Sequence, residues 1–311
     1  MKIVGKKETE KSNIVYNLHV ANDHNYVVEG AVVANCHGAQ ASSLKAILEG
    51  ANNAQFKVGM TGSLSGENLH EYLLSGLFGD IHQVTTTKKL QEEGKLSEMK
   101  IYFVTIKHKK ESVQKFYKTY GQEIQTSEGK KTVIPPTYAD EVEFLTTNPK
   151  REAFIRNIAL TFKGVVLVLF NRIEQGKDLY ELIKEKSKDR EVFYIAGEVD
   201  ADSREKIRNT IKNGNGAILV ASVGTCSTGI NIPGIETVIL CPSKSRIRNL
   251  QSIGRGLRIK EGKSGCTVVD IADDFSSYRR HKSYSIKHAA IRYALYMEQK
   301  FPIKFECVED F

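Results

Sequence analysis

Short apolar runs alternating with helical periodicity across residues 164–274 constrain this chain most. Val165–Phe170, Glu191–Ala196, Ala217–Ser222, Thr237–Cys241 and Cys266–Ile271 are strand-like and too short for helices. Between them Gly176–Lys186 and Ala201–Lys212 have helical spacing, and Ser245–Arg258 fits a helix before the last run. Continuous apolar strands alternating with amphipathic helices describe a parallel sheet covered on both faces, a doubly wound α/β domain.

Upstream the pattern is less regular. Ala41–Leu48 and Leu69–Leu77 have helical spacing, and Phe56–Met60 reads as a strand that ends in Thr61-Gly62-Ser63. This is part of a second α/β domain with strands missing. Lys107–Lys150 is polar and charged around Pro135-Pro136, and reads as an excursion whose lysines form a solvated face or a nucleic-acid contact. The first 35 residues alternate apolar and polar positions, as in Val15–Val20 and Tyr26–Val33, which predicts short antiparallel strands. From about Ser276, Tyr, Arg, Lys and His at helical spacing predict a packed helix with a basic face.

Composition narrows the setting. No apolar stretch of about 18 residues suits a membrane span, and no apolar h-region opens the chain. Lys and Arg exceed Asp and Glu by eight, 45 against 37, a weak lean toward a phosphate-rich partner. The cysteines at 36, 226, 241, 266 and 307 have no Cys-x-x-Cys spacing, so a zinc site is not indicated. Reduced thiols in a cytoplasmic setting are the simplest reading.

The run Gln251-Ser-Ile-Gly-Arg-Gly-Leu-Arg258 carries the most specific chemistry. Arg255 and Arg258 lie three apart and share a helix face, with Gln251 one turn earlier. Two forked, permanently charged guanidinia suit the charge that builds on a transferring phosphoryl group. A basic surface helix is the bland alternative. The run, however, follows a buried strand at a strand-end edge, where such sheets bind ligands.

Gln-x-x-Gly-Arg-x-x-Arg resembles motif six of superfamily 2 helicases, and other fragments follow that family's order. Thr61-Gly62-Ser63 resembles motif three, which couples ATP state to nucleic-acid grip. Phe170–Lys177 resembles the motif-four region. Gly197–Arg204 resembles the next element, with Gly197 at the strand end and Arg204 on the following helix. Ser222–Asn231 resembles motif five. The resemblance implies that Gly197, Arg204, Ser222 and Thr228 meet the nucleic-acid backbone. It also implies that Gly229, Asn231, Gln251, Arg255 and Arg258 approach ATP. Cys36-His37-Gly38-Ala39, Gly76-Leu77-Phe78-Gly79, Gly197-Glu198-Val199-Asp200 and Val269–Asp274 narrow the likeness to the UvsW-type recombination and fork-remodelling DNA helicases of tailed phages. This likeness spans Cys36 to about Asp274, and implies two RecA-like domains with ATP and Mg2+ as cofactors and DNA as partner.

Two parts of such a motor are missing. There is no Gly-x-x-x-x-Gly-Lys-Ser/Thr; Gly262-Lys263-Ser264 lacks the correctly spaced first glycine and follows a helix. The family's magnesium motif reads Asp-Glu-x-His, whereas Ala34-Asn35-Cys36-His37 stands here, with His37 keeping the last place beside the nucleotide. One explanation is a truncated helicase with a decayed motif. The other is that residues 1–35 are not helicase. Val15–Val20, Asp23–Tyr26 and Val32–Cys36 resemble the closing blocks of an intein, which ends in Asn before a Cys, Ser or Thr. Asn35 can cyclise and cut the chain, Cys36 can carry the upstream acyl group as a thioester, and His24 can move protons. That family often has Asp where Asn17 stands and His where Ala34 stands.

The expected organisation is therefore a small all-β HINT-type intein segment over 1–35. The C-terminal part of RecA-like domain 1 follows over 36–98, then a complete RecA-like domain 2 over 99–311. Met1 and the brevity of the first segment suggest a split intein. The expected partner is a chain bearing the P-loop half, the magnesium carboxylates and the N-intein.

Overall fold

A computed structural model describes residues 25–28, 31–35, 46, 49–50, 56–60, 68–125, 131–197, 201–212, 216–228, 234–241, 265–279, 283–309 and 311. The chain divides into two units, Met1–Val84 and Thr85–Phe311.

In the first unit β1 (Asn25–Val28) and β2 (Ala31–Asn35) pair antiparallel, with Val28 opposite Ala31. The period-2 pattern of Tyr26–Val33 is thus a strand pair. β2 also pairs parallel with β3 (Phe56–Met60), Ala31 opposite Phe56 and Asn35 opposite Met60. Strands from either side of the Asn35–Cys36 bond therefore share one mixed sheet, an arrangement that the antiparallel expectation for residues 1–35 did not contain. α1 (Asn68–Phe78) follows and buries Leu74. Val15–Val20 and most of Ala41–Leu48 lie outside the described residues.

The second unit begins with α2 (Thr87–Glu92), capped by the Thr86 hydroxyl, and β4 (Met99–Lys107). Next come α3 (Lys110–Tyr120), the antiparallel pair β5 (Gln122–Gln125) and β6 (Lys131–Ile134), and α4 (Tyr138–Thr146). α5 (Pro149–Thr161), β7 (Val165–Phe170), α6 (Ile173–Lys186), β8 (Glu191–Ile195) and α7 (Ala201–Lys212) follow. β9 (Ala217–Ser222), α8 (Val223–Thr228), β10 (Ile235–Leu240), β11 (Cys266–Asp274), α9 (Tyr284–Glu298) and β12 (Ile303–Val308) complete the unit. Its strands form one parallel sheet in the order β12-β4-β11-β10-β7-β9-β8.

Every residue of β7 is buried, and the pleat sends alternate side chains to two cores. Val165, Leu167 and Leu169 pack with Ile207 and Ile211 of α7 and Ala289 and Tyr296 of α9. Val166, Val168 and Phe170 pack with Ile155 and Ala159 of α5 and Leu179 and Ile183 of α6. Burying each such side chain is worth roughly 1.5–3 kcal/mol. The expected doubly wound sheet is thus observed. Gly176 of α6 is what lets that helix sit on the strand end, because a Cβ there would lie 2.4 Å from the Phe170 ring.

Two expectations change. Lys107–Lys150, expected as a polar excursion, carries secondary structure of its own. It holds α3, the β5–β6 pair and α4, with Val113, Phe116 and Leu145 buried around Phe275. α4 starts where Thr137 and Asp140 form a reciprocal capping box after Pro136, and α5 starts at Pro149 behind the Asn148 cap. The sheet also gains β4 and β12, which the apolar runs did not reveal. The predicted C-terminal helix is α9. Among the described residues Cys241, Cys266 and Cys307 are free, and no described helix is long and apolar enough to cross a membrane.

Candidate functional site

At the carboxyl ends of β8 and β9, a set of hydrogen bonds brings two of the sequence-selected residues together. Ser222 closes β9 and its hydroxyl donates to Thr225 Oγ1 at 2.8 Å, while the Thr225 amide donates back to Ser222 Oγ at 3.1 Å. The Gly197 amide donates to Thr225 Oγ1 at 2.9 Å, and that hydroxyl donates to the Gly197 carbonyl at 3.3 Å. Each hydroxyl gives one proton and accepts at least one, so the clip is internally satisfied. Gly197 has φ +72°, and among the described residues no heavy atom beyond its chain neighbours lies within 4 Å of where a Cβ would stand. Its requirement is backbone conformation. Thr225, which sequence reasoning missed, is the residue that joins Gly197 to Ser222.

The other selected residues are only partly placed. Thr228 closes α8, and Arg204 lies in the second turn of α7. Asn35 ends β2 level with Met60, the residue before Thr61. His24, Cys36, His37, Thr61, Gly62, Ser63, Gly229, Asn231, Gln251, Arg255 and Arg258 lie outside the described residues.

A buried polar network supports the carboxyl edge of the large sheet. Asp273, near the end of β11, receives Arg151 Nε at 3.0 and 3.1 Å and lies 3.0 Å from His108 Nε2. All three side chains are at most 1% exposed. Burial works to raise the Asp273 carboxyl, and the charges and hydrogen bonds of Arg151 and His108 outweigh it, holding it below the usual range. His108 also stacks on Phe275, centroids 4.5 Å apart. Glu141 of α4 accepts from the amides of Tyr284 and Ser285 and from the Ser283 hydroxyl, so a carboxylate seats the positive start of α9. Deeper in β11, Asp270 takes Arg292 Nε and Nη2 and the Tyr296 hydroxyl.

Beside Arg151, Glu152 is 7% exposed and its Oε1 has no hydrogen-bond partner. Burial, reinforced by Asp178 and opposed by Arg151, pushes its carboxyl up to about 7. The Cys241 thiol just past β10 is raised to about 12 by burial, which disfavours its thiolate form. Among the described residues no His, Cys, Asp and Glu cluster has the makings of a metal site. The sequence signal for part of this network was the Val269–Asp274 run, whose two buried aspartates anchor both ion pairs.

Comparison with known proteins fits this geometry. Residues 149–260 match the family model "Helicase conserved C-terminal domain". The chain is 33% identical over 281 residues to the ATP-dependent DNA helicase UvsW of Enterobacteria phage T4, covering 86% of this chain and 52% of UvsW. It superposes on the crystal structure of T4 UvsW with a TM-score of 0.53 and 30% identity, over 89% of this chain and 53% of that one. The DNA-bound Type ISP restriction-modification enzyme LlaBIII shares the fold at a TM-score of 0.54 and 12% identity, over 90% of this chain and 22% of that one. Residues 149–260 thus match a helicase C-terminal domain, and the chain is similar to UvsW while spanning about half of that relative's length.

Proposed function

We propose that this chain, which carries a helicase conserved C-terminal domain, is the C-terminal part of a UvsW-like ATP-dependent DNA helicase, made as a precursor that is spliced at Asn35–Cys36. The observation that carries the motor half is the Gly197–Thr225–Ser222 clip. Its hydrogen bonds join two segments 28 residues apart at the carboxyl ends of β8 and β9, and such strand ends are where α/β sheets bind ligands, which supports the reading. In this reading the edge takes the DNA backbone at Gly197, Arg204, Ser222 and Thr228. Gly229, Asn231, Gln251, Arg255 and Arg258 close on ATP held by the P-loop half.

ATP supplies the phosphoryl-transfer energy when bound. Mg2+ does not fit this chain's own seam, because Ala34 offers a methyl and Asn35 a neutral amide where two carboxylates are needed. The metal carboxylates therefore come with the partner, an Asp-Glu terminus followed by an N-intein.

Splicing would restore them. Cys36 Sγ would attack the acyl carbon at the junction with the N-intein, breaking its bond to the first N-intein residue, which leaves protonated, and holding the upstream acyl group as a thioester. The Asn35 side-chain nitrogen attacks its own carbonyl carbon, breaks the Asn35–Cys36 bond and leaves a succinimide, with His24 assisting proton movement. The freed Cys36 amine then takes the acyl group from sulfur, forming a peptide bond and regenerating the thiol. Asp-Glu-Cys36-His37 results.

Mixing this chain with a P-loop chain ending Asp-Glu and fused to an N-intein should give a joined product by mass spectrometry and a gain in DNA-stimulated ATP hydrolysis. Asn35→Ala with Cys36→Ala should abolish joining while Thr85–Phe311 stays folded. Absence of the joined product with wild-type residues sinks the splicing claim.

One observation favours a second reading. β2 pairs parallel with β3 in register, the placement of a helicase strand whose acidic pair has been lost. The chain would then be a non-catalytic DNA-binding fragment. Salt-sensitive DNA binding with no joining and no ATPase gain from any P-loop partner selects this reading.

A further inference from the structure

The seven-stranded sheet has two open edges, and the described residues guard them unequally. β12 alternates charge along its outer strand, with Lys304 and Glu306 paired at 2.6 Å, the usual protection against stray strand pairing. Among the described residues β8 pairs on one side only, with β9, and its interior Val192-Phe193-Tyr194 has no lysine, proline or glycine to block a further strand. These three side chains are only half-buried, although the neighbouring residues Ala217–Ala221 of β9 are buried. An open cleft of about 1010 Å³ runs along this edge between α6 and α7. Lys177 and Lys184 of α6 and Lys206 of α7 line it, beside Tyr180, Phe193 and Tyr194.

We infer that the free edge of β8 is a docking site for an extended, acidic segment of a partner protein, added as a further strand of the sheet. An added strand would pair with the open backbone groups of β8 and finish covering Phe193 and Tyr194. Its acidic side chains would meet Lys177 and Lys184 of α6, the latter over Tyr180, while Lys206 on the other face already lies 3.9 Å from Glu191. Arg190 adds no outward charge, because its guanidinium donates to the Phe162 carbonyl at the end of α5, at 2.7 Å.

A nucleic-acid strand fits this cleft less well. Alternating amides and carbonyls complement a peptide backbone rather than phosphodiesters. A second copy of the chain fits less well too, because edge-to-edge pairing would bring Lys177 and Lys184 against their own copies. The inference does not depend on whether the seam is spliced.

The test titrates the full chain with a synthetic peptide alternating Glu and Val, with the same peptide carrying Lys in place of Glu, and with oligothymidylate. Anisotropy gives affinity, and hydrogen exchange over Glu191–Ile195 gives the place. The acidic peptide should bind and slow exchange in β8, and the lysine peptide should not. Lys177→Glu with Lys184→Glu, both on the exposed face of α6, should weaken the acidic peptide by about tenfold or more, the scale of close interface charge pairs. The proposal falls if exchange in β8 is unchanged on binding, if oligothymidylate displaces the peptide, or if the chain self-associates through this edge instead.

Discussion

The large sheet of Thr85–Phe311 buries both faces of β7, whereas in Met1–Val84 the sheet strand β3 leaves Val58 42% exposed and α1 leaves Tyr72 76% exposed. Both units use short apolar strands and amphipathic helices, so the vocabulary is shared. The difference lies in how many layers the described residues supply. A parallel sheet is stable when helices cover both faces, and among the described residues both layers are seen on the second unit.

The largest test of this contrast is hydrogen exchange. Amides of β7 should exchange slower than those of β3 by orders of magnitude, since the first require global opening and the second only local opening. Equal protection would break the comparison. Next in size, Arg151→Ala leaves the Asp273 carboxylate buried without its main cation. Denaturant unfolding of the second unit should lose about 3–5 kcal/mol, with the first unit's signal unchanged.

A smaller effect concerns pH. The Glu152 carboxyl is raised to about 7 in the folded state, so the fold binds its proton more tightly than the unfolded chain does. The stability this gives is complete below the ordinary carboxylate range and is lost as pH rises through about 7. Glu152→Gln should flatten that decline in a pH series of unfolding midpoints. The opposite loss on acidification, from the depressed Asp273 carboxyl, should persist in the variant. Smallest, Thr225→Val removes the hydroxyl that ties Gly197 to Ser222. It should cost about 0.5–1.5 kcal/mol and weaken DNA binding of the full chain more than that loss of stability explains. Unchanged DNA affinity would separate the clip from the nucleic-acid edge.

Much of the second unit was legible because β7, β9, β10 and β11 are continuous apolar runs, the signature of strands buried on both faces. β4 escaped because lysines and a threonine interrupt Met99–Lys107, although Ile101 and Ile106 are fully buried. β12 escaped because an edge strand needs no apolar run. At the site, Gly197 and Ser222 were legible through family-like order. Arg151 and Glu141 were not, since their partners Asp273 and Ser283 lie 122 and 142 residues away and no local period records such pairs. Thr225 was hidden for a subtler reason: its role exists only once β8 and β9 are neighbours.

The position of β4 has a consequence for synthesis. It lies between β11 and β12, with Cys266 opposite Met99 and Ile303 opposite Ile101, and the Phe311 carbonyl accepts from the Lys109 amide. As the ribosome extends the chain, β4 emerges long before either neighbour exists, carrying Ile101, Phe103 and Ile106 unpaired. Translation must pass β11 before one flank is closed and β12 before the other. The unit therefore folds late, and the nascent chain carries an uncovered apolar strand through most of its elongation, a window in which a ribosome-associated chaperone has something to hold.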